Sequence, residues 1–349
     1  MYLRYLTVFI LFLSTLIHAS DVDKESRMRG MIWGALVADA AALGAHWYYD
    51  QADLKERFPG GIYGFEQPAA DHYHKTKSSG QFTMYGDALK LLLEVCVSES
   101  GYSPKDYGAA FIRTMTPGNY AGYIDHATRE TFEIYQQHLK SDPDLPFDFQ
   151  QGSDDNQMAG ATSLMPIALL YLDDPAFYER VANFVRIRQN NSEAIAYCQI
   201  QAGILKGLLA GNSAEGAIAG ALEEAPLSGM MHEAISARVR DAKRELGKED
   251  FILSTFELGY SCPLRGSFPA SLFSFMKLKS GTYEDAILSI VRAGGESAGR
   301  GMLVGAFLGA YHGEAYIPTA WKEKLSEYEA IASLVEQVMQ ARKRSQNGV

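Results

Sequence analysis

Gly34-Ala35-Leu36-Val37-Ala38-Asp39-Ala40-Ala41-Ala42-Leu43-Gly44 holds a single charge among small and apolar residues. It lies inside Met28–Ala45, which is apolar nearly all round and rich in Ala. A segment with no polar face has no side to turn to water, so this one reads as a helix buried among others. Alanine raises helix propensity and lets neighbouring helices approach closely. Working outward, the Leu-rich Asp87–Val97 follows a turn at Tyr85-Gly86. Gly122–Leu139, Gln157–Leu172, Ala176–Arg188 and Ser192–Ala210 come next, separated by Asp, Pro, Asn and Gly. Ser213–Glu224, Ser228–Leu246, Phe268–Lys277, Tyr283–Ala293, Ser297–His312 and Thr319–Arg344 complete the series. Strict alternation is scarce and no β-branched runs alternate with helices, which argues against doubly wound sheets and TIM barrels. The expected class is all-α, a single compact multi-helix domain over residues 25–345.

Composition agrees with a large core. Of 349 residues, 47% are hydrophobic and 21% charged, which excludes disorder along the whole chain. No internal repeat or Pro/Ser-rich linker divides it. The formal charge is −10 with no Lys/Arg block. That argues against nucleic acid or an anionic membrane as a partner and leaves a small-molecule ligand. The first twenty residues stand apart: Arg4, then thirteen uncharged residues from Tyr5 to Ile17, then His18-Ala19-Ser20 and the charged Asp21-Val22-Asp23-Lys24. The apolar run is shorter than the ~20 residues of a membrane span. A basic start and a small-residue exit read as a signal peptide over residues 1–20. The mature chain is then expected to be secreted or lumenal/periplasmic, with no stable membrane anchor after cleavage. Cys96, Cys198 and Cys262 lack metal-ligand spacing and read as buried small hydrophobes, with one disulfide open to them in an oxidising compartment.

Two short motifs overlap near the C-terminal end. Gly295-Glu296-Ser297-Ala298-Gly299 has the G-x-S-x-G pattern of a serine nucleophile elbow. A Ser297 esterase would need a later histidine, and His312 is the only one that follows, within or just after the same helix. Gly294 and Gly299 also carry P-loop spacing, but Arg300 and Gly301 stand where Lys and Ser/Thr belong. What survives is a helix opened by glycines, whose free N–H groups offer a place for an anion.

Acidic residues recur at such helix starts. Asp87 reads as an N-cap. Asp154-Asp155-Asn156 supplies a cap before Gln157 and one carboxylate more than capping needs. Glu296 complements its helix dipole. Asp39 is buried in an apolar helix, where a charge is costly unless it anchors a hydrogen bond or serves a site. His46-Trp47-Tyr48-Tyr49, which closes that helix, reads as packing.

Taken together, the blocks Gly34–Gly44 with Ala45-His46-Trp47, Met84-Tyr85-Gly86-Asp87, and Gly294-Gly295-Glu296-Ser297-Ala298-Gly299-Arg300 resemble the ADP-ribosylglycohydrolase family, in its J-crystallin-like branch. Leu303–Ala310, Ile317-Pro318 and Trp321 continue the likeness. The resemblance implies an all-α fold that hydrolyses the glycosidic bond of ADP-ribose attached to a side chain or small acceptor, using two Mg²⁺ ions held by the two acidic motifs. Met84, Tyr85 and Gly86 replace the family's Thr, Asp and Asp, while Ala298 and Gly299 replace a second Asp and a Thr. A thioether, a phenol and side chains of one methyl or none do not rebuild a two-ion site. The expectation is therefore at most one weakly held Mg²⁺ between Asp87 and Glu296, with Asp154 or Asp155 as catalytic base. Asp39, Tyr85, Asn156, Gly294, Gly295 and Ser297 are expected to contact an ADP-ribosyl-type or other small-molecule substrate. The alternative is a noncatalytic ligand-binding or structural, crystallin-like protein.

Overall fold

Helix α1 (residues 24–42) is buried along its whole second half and passes into a 3-10 turn at Leu43–Ala45. It lies against α14 (Ser297–His312), which is buried from Ser297 to Ala310. Where the two cross, backbone meets backbone. A Cβ on Gly34 would stand 2.0 Å from the carbonyl oxygen of Gly305, so only glycine permits the approach. Tyr283 Oη donates to Gly34 O across the same seam, at 2.6 Å.

The computed structural model describes residues 24–346, so the expected signal segment lies outside the described residues. Between and after these two helices come α2 (Gln51–Arg57), α3 (Met84–Val97), α4 (Pro104–Thr114), α5 (His126–Ser141), α6 (Met165–Leu170), α7 (Phe177–Arg186), α8 (Ser192–Leu209) and α9 (Ala214–Glu224). Then follow α10 (Gly229–Glu245), α11 (Phe251–Leu258), α12 (Leu264–Leu278), α13 (Tyr283–Arg292), α15 (Thr319–Lys322) and α16 (Tyr328–Gln346). α8, α12 and α14 pack on one another. α7 and α9 cover α8, α10 and α11 cover α12, α13 lies on α14, and α16 closes over α3 and α6. No strand occurs among the described residues, where Ser153 and Gln189 form an isolated parallel bridge. The all-α, single-domain expectation holds. No described helix is long and apolar enough to cross a membrane, and the three cysteines are free thiols.

Several boundaries fall where their caps stand: Asn191, Ser213 and Ser228 each accept from amides of the helix they open. Others differ. The helix expected from Gly122 starts at His126, because the Asp125 carboxylate accepts from Thr128 N and fixes the entry there. Most of Gln157–Leu172 is not helical. Residues 153–163 run as buried turns instead, and Gln189 supplies their missing partners: its Oε1 accepts from Gly160 N at 2.6 Å, and its Nε2 donates to Asp155 O and Gln157 O. Thr319–Arg344 breaks in two where Ser326 N turns aside to Gly80 O. α2, α4 and α11 were not expected.

Candidate functional site

The first turn of α3 is capped by Thr83, whose hydroxyl accepts from Tyr85 N, and not by Asp87. Asp39 reaches this cap from α1. Its Oδ2 accepts from Thr83 N at 2.8 Å and its Oδ1 from Thr83 Oγ1 at 2.6 Å. Burial pushes the Asp39 carboxyl up to about 7, against the pull of those two bonds. Asp39 is thus an anchor holding α3 to α1. Asp87 lies one turn further in, where Lys77 Nζ and Tyr120 Oη both donate to its Oδ2 at 2.5 Å.

Glu296 caps α14 from a fully buried position, its Oε2 accepting from Arg300 N at 3.1 Å. The buried Arg300 guanidinium donates to Glu296 O and to Gly294 O. Burial raises the Glu296 carboxyl to about 7, with Arg300 opposing, and draws Arg300 down to about 10, so the arginine keeps its charge at neutral pH. The Tyr85 phenol lies beside the same carboxylate. His46 Nε2 stands 3.6 Å from Glu296 Oε1. Because His46 Nδ1 accepts from Ala298 N, the imidazole proton sits on Nε2, facing the acid. Burial holds His46 well below the usual imidazole range and pushes His74 down to about 3, so both are neutral.

The amides that open α14 are consumed from within. Glu296 N donates to Tyr260 O, Ser297 N to Gly295 O, and Ala298 N to His46. The anion expected there has no free N–H groups to meet. Gly294 and Gly295 serve close approach instead: a Cβ on Gly295 would lie 2.3 Å from Tyr260 O, and Gly295 exchanges backbone bonds with Trp47 and Tyr48. Ser297 is 0% exposed. His312 bonds Lys279 O at the other end of α14, some ~22 Å along the axis. The esterase geometry is absent.

In front of this notch Trp47, His74 and Tyr123 close over Met84 and Tyr85, leaving no free volume for a water molecule. Trp47 has φ of 68°, uncommon for a bulky residue, and its N–H is held by Gly295 O at 2.8 Å. That backbone places the indole 4.2 Å from the His46 ring and 4.7 Å from Tyr123, centroid to centroid.

Outside the aromatic partition lies an open cleft of about 380 Å³, walled by Trp47, Tyr49, Tyr73 and Tyr123 and floored by His126, Arg129, Gln157 and Cys262. Burial pushes the Cys262 thiol up to about 12, so it is no thiolate nucleophile. Asp155 stands behind the floor: its Oδ2 is 2.8 Å from His126 Nδ1, and its Oδ1 accepts from Gln157 N and Gln189 Nε2. Asp154 points to solvent and accepts from Asn191 Nδ2. Asn156 donates to Glu193 and is spent tethering that loop. Of the expected site residues, Asp39 holds the start of α3, Asp87 is bound by Lys77 and Tyr120, Tyr85 lies beside Glu296, Ser297 is buried in α14, and Asp155 reaches the open cleft through His126.

Among the described residues no group of three or more His, Cys, Asp or Glu is placed to hold a metal ion. The donor set explains why. Asp87 is paired with Lys77, Glu296 is fully buried in the field of Arg300, and none of Tyr85, Gly86, Ala298 and Gly299 adds a carboxylate. The expected Mg²⁺ position between Asp87 and Glu296 does not fit these residues. Sequence reading missed Lys77, Tyr120, His74, Tyr123, His126 and Arg129. Only Arg300, a charge inside an apolar helix, left a visible signal.

The model of the ADP-ribosylglycohydrolase family matches residues 20–348. Crystallin J1A of Tripedalia cystophora is 25% identical over 341 residues, covering 93% of this chain and all of the crystallin. Crystallin J1B of the same animal is 24% identical over 350 residues, with the same coverage. A solved structure described as an ADP-ribosylglycohydrolase-related protein complex shares the fold, with a TM-score of 0.66 at 18% identity over 92% of this chain and 99% of its own. The chain belongs to the ADP-ribosylglycohydrolase family.

Proposed function

We propose that this chain binds an ADP-ribosyl-type small molecule in the open cleft and does not carry out metal-dependent hydrolysis. The observation behind this reading is that Asp87 is already paired with Lys77, Glu296 lies in the field of the buried Arg300, and among the described residues no group of three or more acids, imidazoles or thiols is placed to hold an ion. An entering Mg²⁺ would have to displace the Lys77 ammonium from Asp87 or stand against the nearby charge of Arg300 at Glu296, and it demands near-octahedral oxygen ligation that these groups do not supply. The likeness to two crystallins supports a role without turnover. Aromatic walls around a concave, partly polar floor suit a ligand with a planar ring.

Calorimetry with ADP-ribose, with and without Mg²⁺ or a chelator, tests the reading. Equal affinity under both conditions, and no Mg²⁺-stimulated release from an ADP-ribosylated substrate, is the expected result. Two tightly bound Mg²⁺ ions with Mg²⁺-dependent turnover would overturn it. Export of the mature chain belongs to the same proposal and rests on residues 1–20. N-terminal sequencing of the protein recovered outside the cytoplasm would show cleavage after Ala19 or Ser20.

A further inference from the structure

The geometry points to a metal-free proton-transfer site in the open cleft, with His126 as its base and Asp155 as its positioning residue, acting on esters that carry an aromatic leaving group. It rests on the reading of that cleft as a ligand site.

An ordinary surface His–Asp contact leaves both partners mobile, and this one does not. Asp155 is buried, and its Oδ1 is fixed by Gln157 N at 2.8 Å and Gln189 Nε2 at 3.0 Å, so Oδ2 has one direction left. Gln189 is itself locked by Gly160 N at 2.6 Å. The Oδ2 atom meets His126 Nδ1 at 2.8 Å, which places the Nδ1 proton toward the acid and leaves Nε2 as the basic atom. The His126 side chain is 56% exposed and lies on the cleft floor at the first position of α5. A base with a free nitrogen, oriented by a carboxylate that is oriented in turn, is the arrangement general-base catalysis requires. The charged groups facing His126 are Asp155, Glu130 at 3.9 Å, and the flanking Asp125 and Arg129.

The walls select the substrate. Tyr49 and Tyr73 line the cleft beside Trp47 and Tyr123, an aromatic wall suited to an aromatic group, and Arg129, three residues along α5 from His126, donates to Ile124 O and lies over the Tyr123 ring, which brings its charge to the same cleft. The step balances without a metal or a covalent enzyme intermediate. His126 Nε2 takes a proton from a water whose oxygen bonds to the ester carbonyl carbon. The resulting oxyanion lies within the field of Arg129. Collapse breaks the carbon–oxygen bond to the aromatic leaving group, which departs with the electron pair and receives the proton back from the imidazolium. The products are a carboxylic acid and a phenol, and Asp155 remains ionised throughout.

Hydrolysis of p-nitrophenyl acetate by the full mature chain tests this. His126→Gln should lower kcat/KM by about 100-fold, the usual scale of one general base, and added imidazole should raise the His126→Ala rate above the rate the same imidazole gives in protein-free buffer. Asp155→Asn should lower kcat by about 10-fold with KM unchanged, and Asp155→Glu should restore part of kcat, a split that a purely structural contact would not produce. His138→Gln, at the far end of α5, should hydrolyse as the wild type does. A His126→Gln variant with the wild-type rate, or an Asp155→Asn variant with the wild-type kcat, overturns the proposal. If ADP-ribose fails to bind while the His126 effects stand, the ligand reading falls and the proton-transfer site remains. If ADP-ribose binds and His126→Gln is silent, the reverse holds.

Discussion

Two places on this molecule carry acids at helix starts, and they have met opposite fates. On the inner side, Asp39 is held by Thr83, Asp87 by Lys77 and Tyr120, and Glu296 caps α14 through the Arg300 backbone N–H with the Arg300 charge nearby. At the outer cleft, the first turn of α5 presents His126 with one nitrogen satisfied and the other open. The notch looks more like an active site on a list of residues, and the cleft looks more like one in space. In the notch the acids are engaged by the chain's own groups, whereas in the cleft the acid Asp155 is held on both oxygens and it is a basic nitrogen, His126 Nε2, that the fold leaves open.

The contrast can be broken most forcibly at Arg300. Arg300→Met leaves Glu296 buried without its cation and strips a donor from Gly294 O, so a loss of about 3–5 kcal/mol is expected in denaturant unfolding. Adding Glu296→Gln in the same chain should recover much of that loss. An Arg300→Met chain as stable as the wild type would show that Glu296 does not depend on the charge of Arg300.

A smaller effect is expected from putting an acid back at Gly86. A Cβ there would lie 2.5 Å from Asp39 Oδ2 and 2.8 Å from Phe82 Cβ, so Gly86→Asp crowds the anchor it stands beside and should cost about 1–3 kcal/mol. Calorimetry should find no Mg²⁺ binding gained. An ion bound by this variant would show that the notch had kept its ability to open.

The next test is pH. Asp39 and Glu296 have folded-state pKa values of about 7, above their ordinary carboxylate values, so the folded chain holds protons there that the unfolded chain has released. Their contribution is fully present below the unfolded values and is lost as pH rises through about 7. Melting temperature should therefore decline by several degrees from pH 5 to pH 8, and Asp39→Asn should flatten the decline. A melting temperature that climbs over this interval would contradict the assignment. The smallest stability change belongs to the cleft: Tyr73 is 61% exposed, so Tyr73→Ala should alter stability by no more than about 0.5 kcal/mol. Its effect should appear as a several-fold loss of affinity for a ring-bearing ligand, on the scale of one aromatic contact.

Much of the frame could be read along the chain because its causes are local. Helices opening after Asn191, Ser213 and Ser228 carry their own capping oxygens, and α1 and α14 announce burial by having no polar face. The errors share a cause as well. Asp87 follows a glycine and invites reading as a cap, yet Thr83, four residues earlier, is the one whose backbone is extended. Residues 157–164 are apolar enough for a helix, but they run as turns because a glutamine from beyond α7 supplies their hydrogen bonds. The site was less legible still. Lys77 and Tyr120 reach Asp87 from 10 and 33 residues away, and Asp155 reaches His126 from 29. Nothing in residue type or spacing marks those pairs, since tertiary approach alone decides which acid is answered.

The contact between Gly34 and Gly305 also sets an order of events. Those two glycines are separated by 271 positions (305 − 34). A chain made from its N-terminus first therefore completes α1, whose second half is buried in the finished fold, long before the helix that will cover it exists. During that interval the apolar stretch from Met31 to Ala42, broken only by Asp39, waits in solvent or in the grip of a chaperone. Assembly at this seam is all-or-none, because backbones that touch at glycine either register or stand apart. Birth of the fold is thus postponed to the last fifth of synthesis, and release of a chain truncated before α14 would leave α1 as an aggregation site.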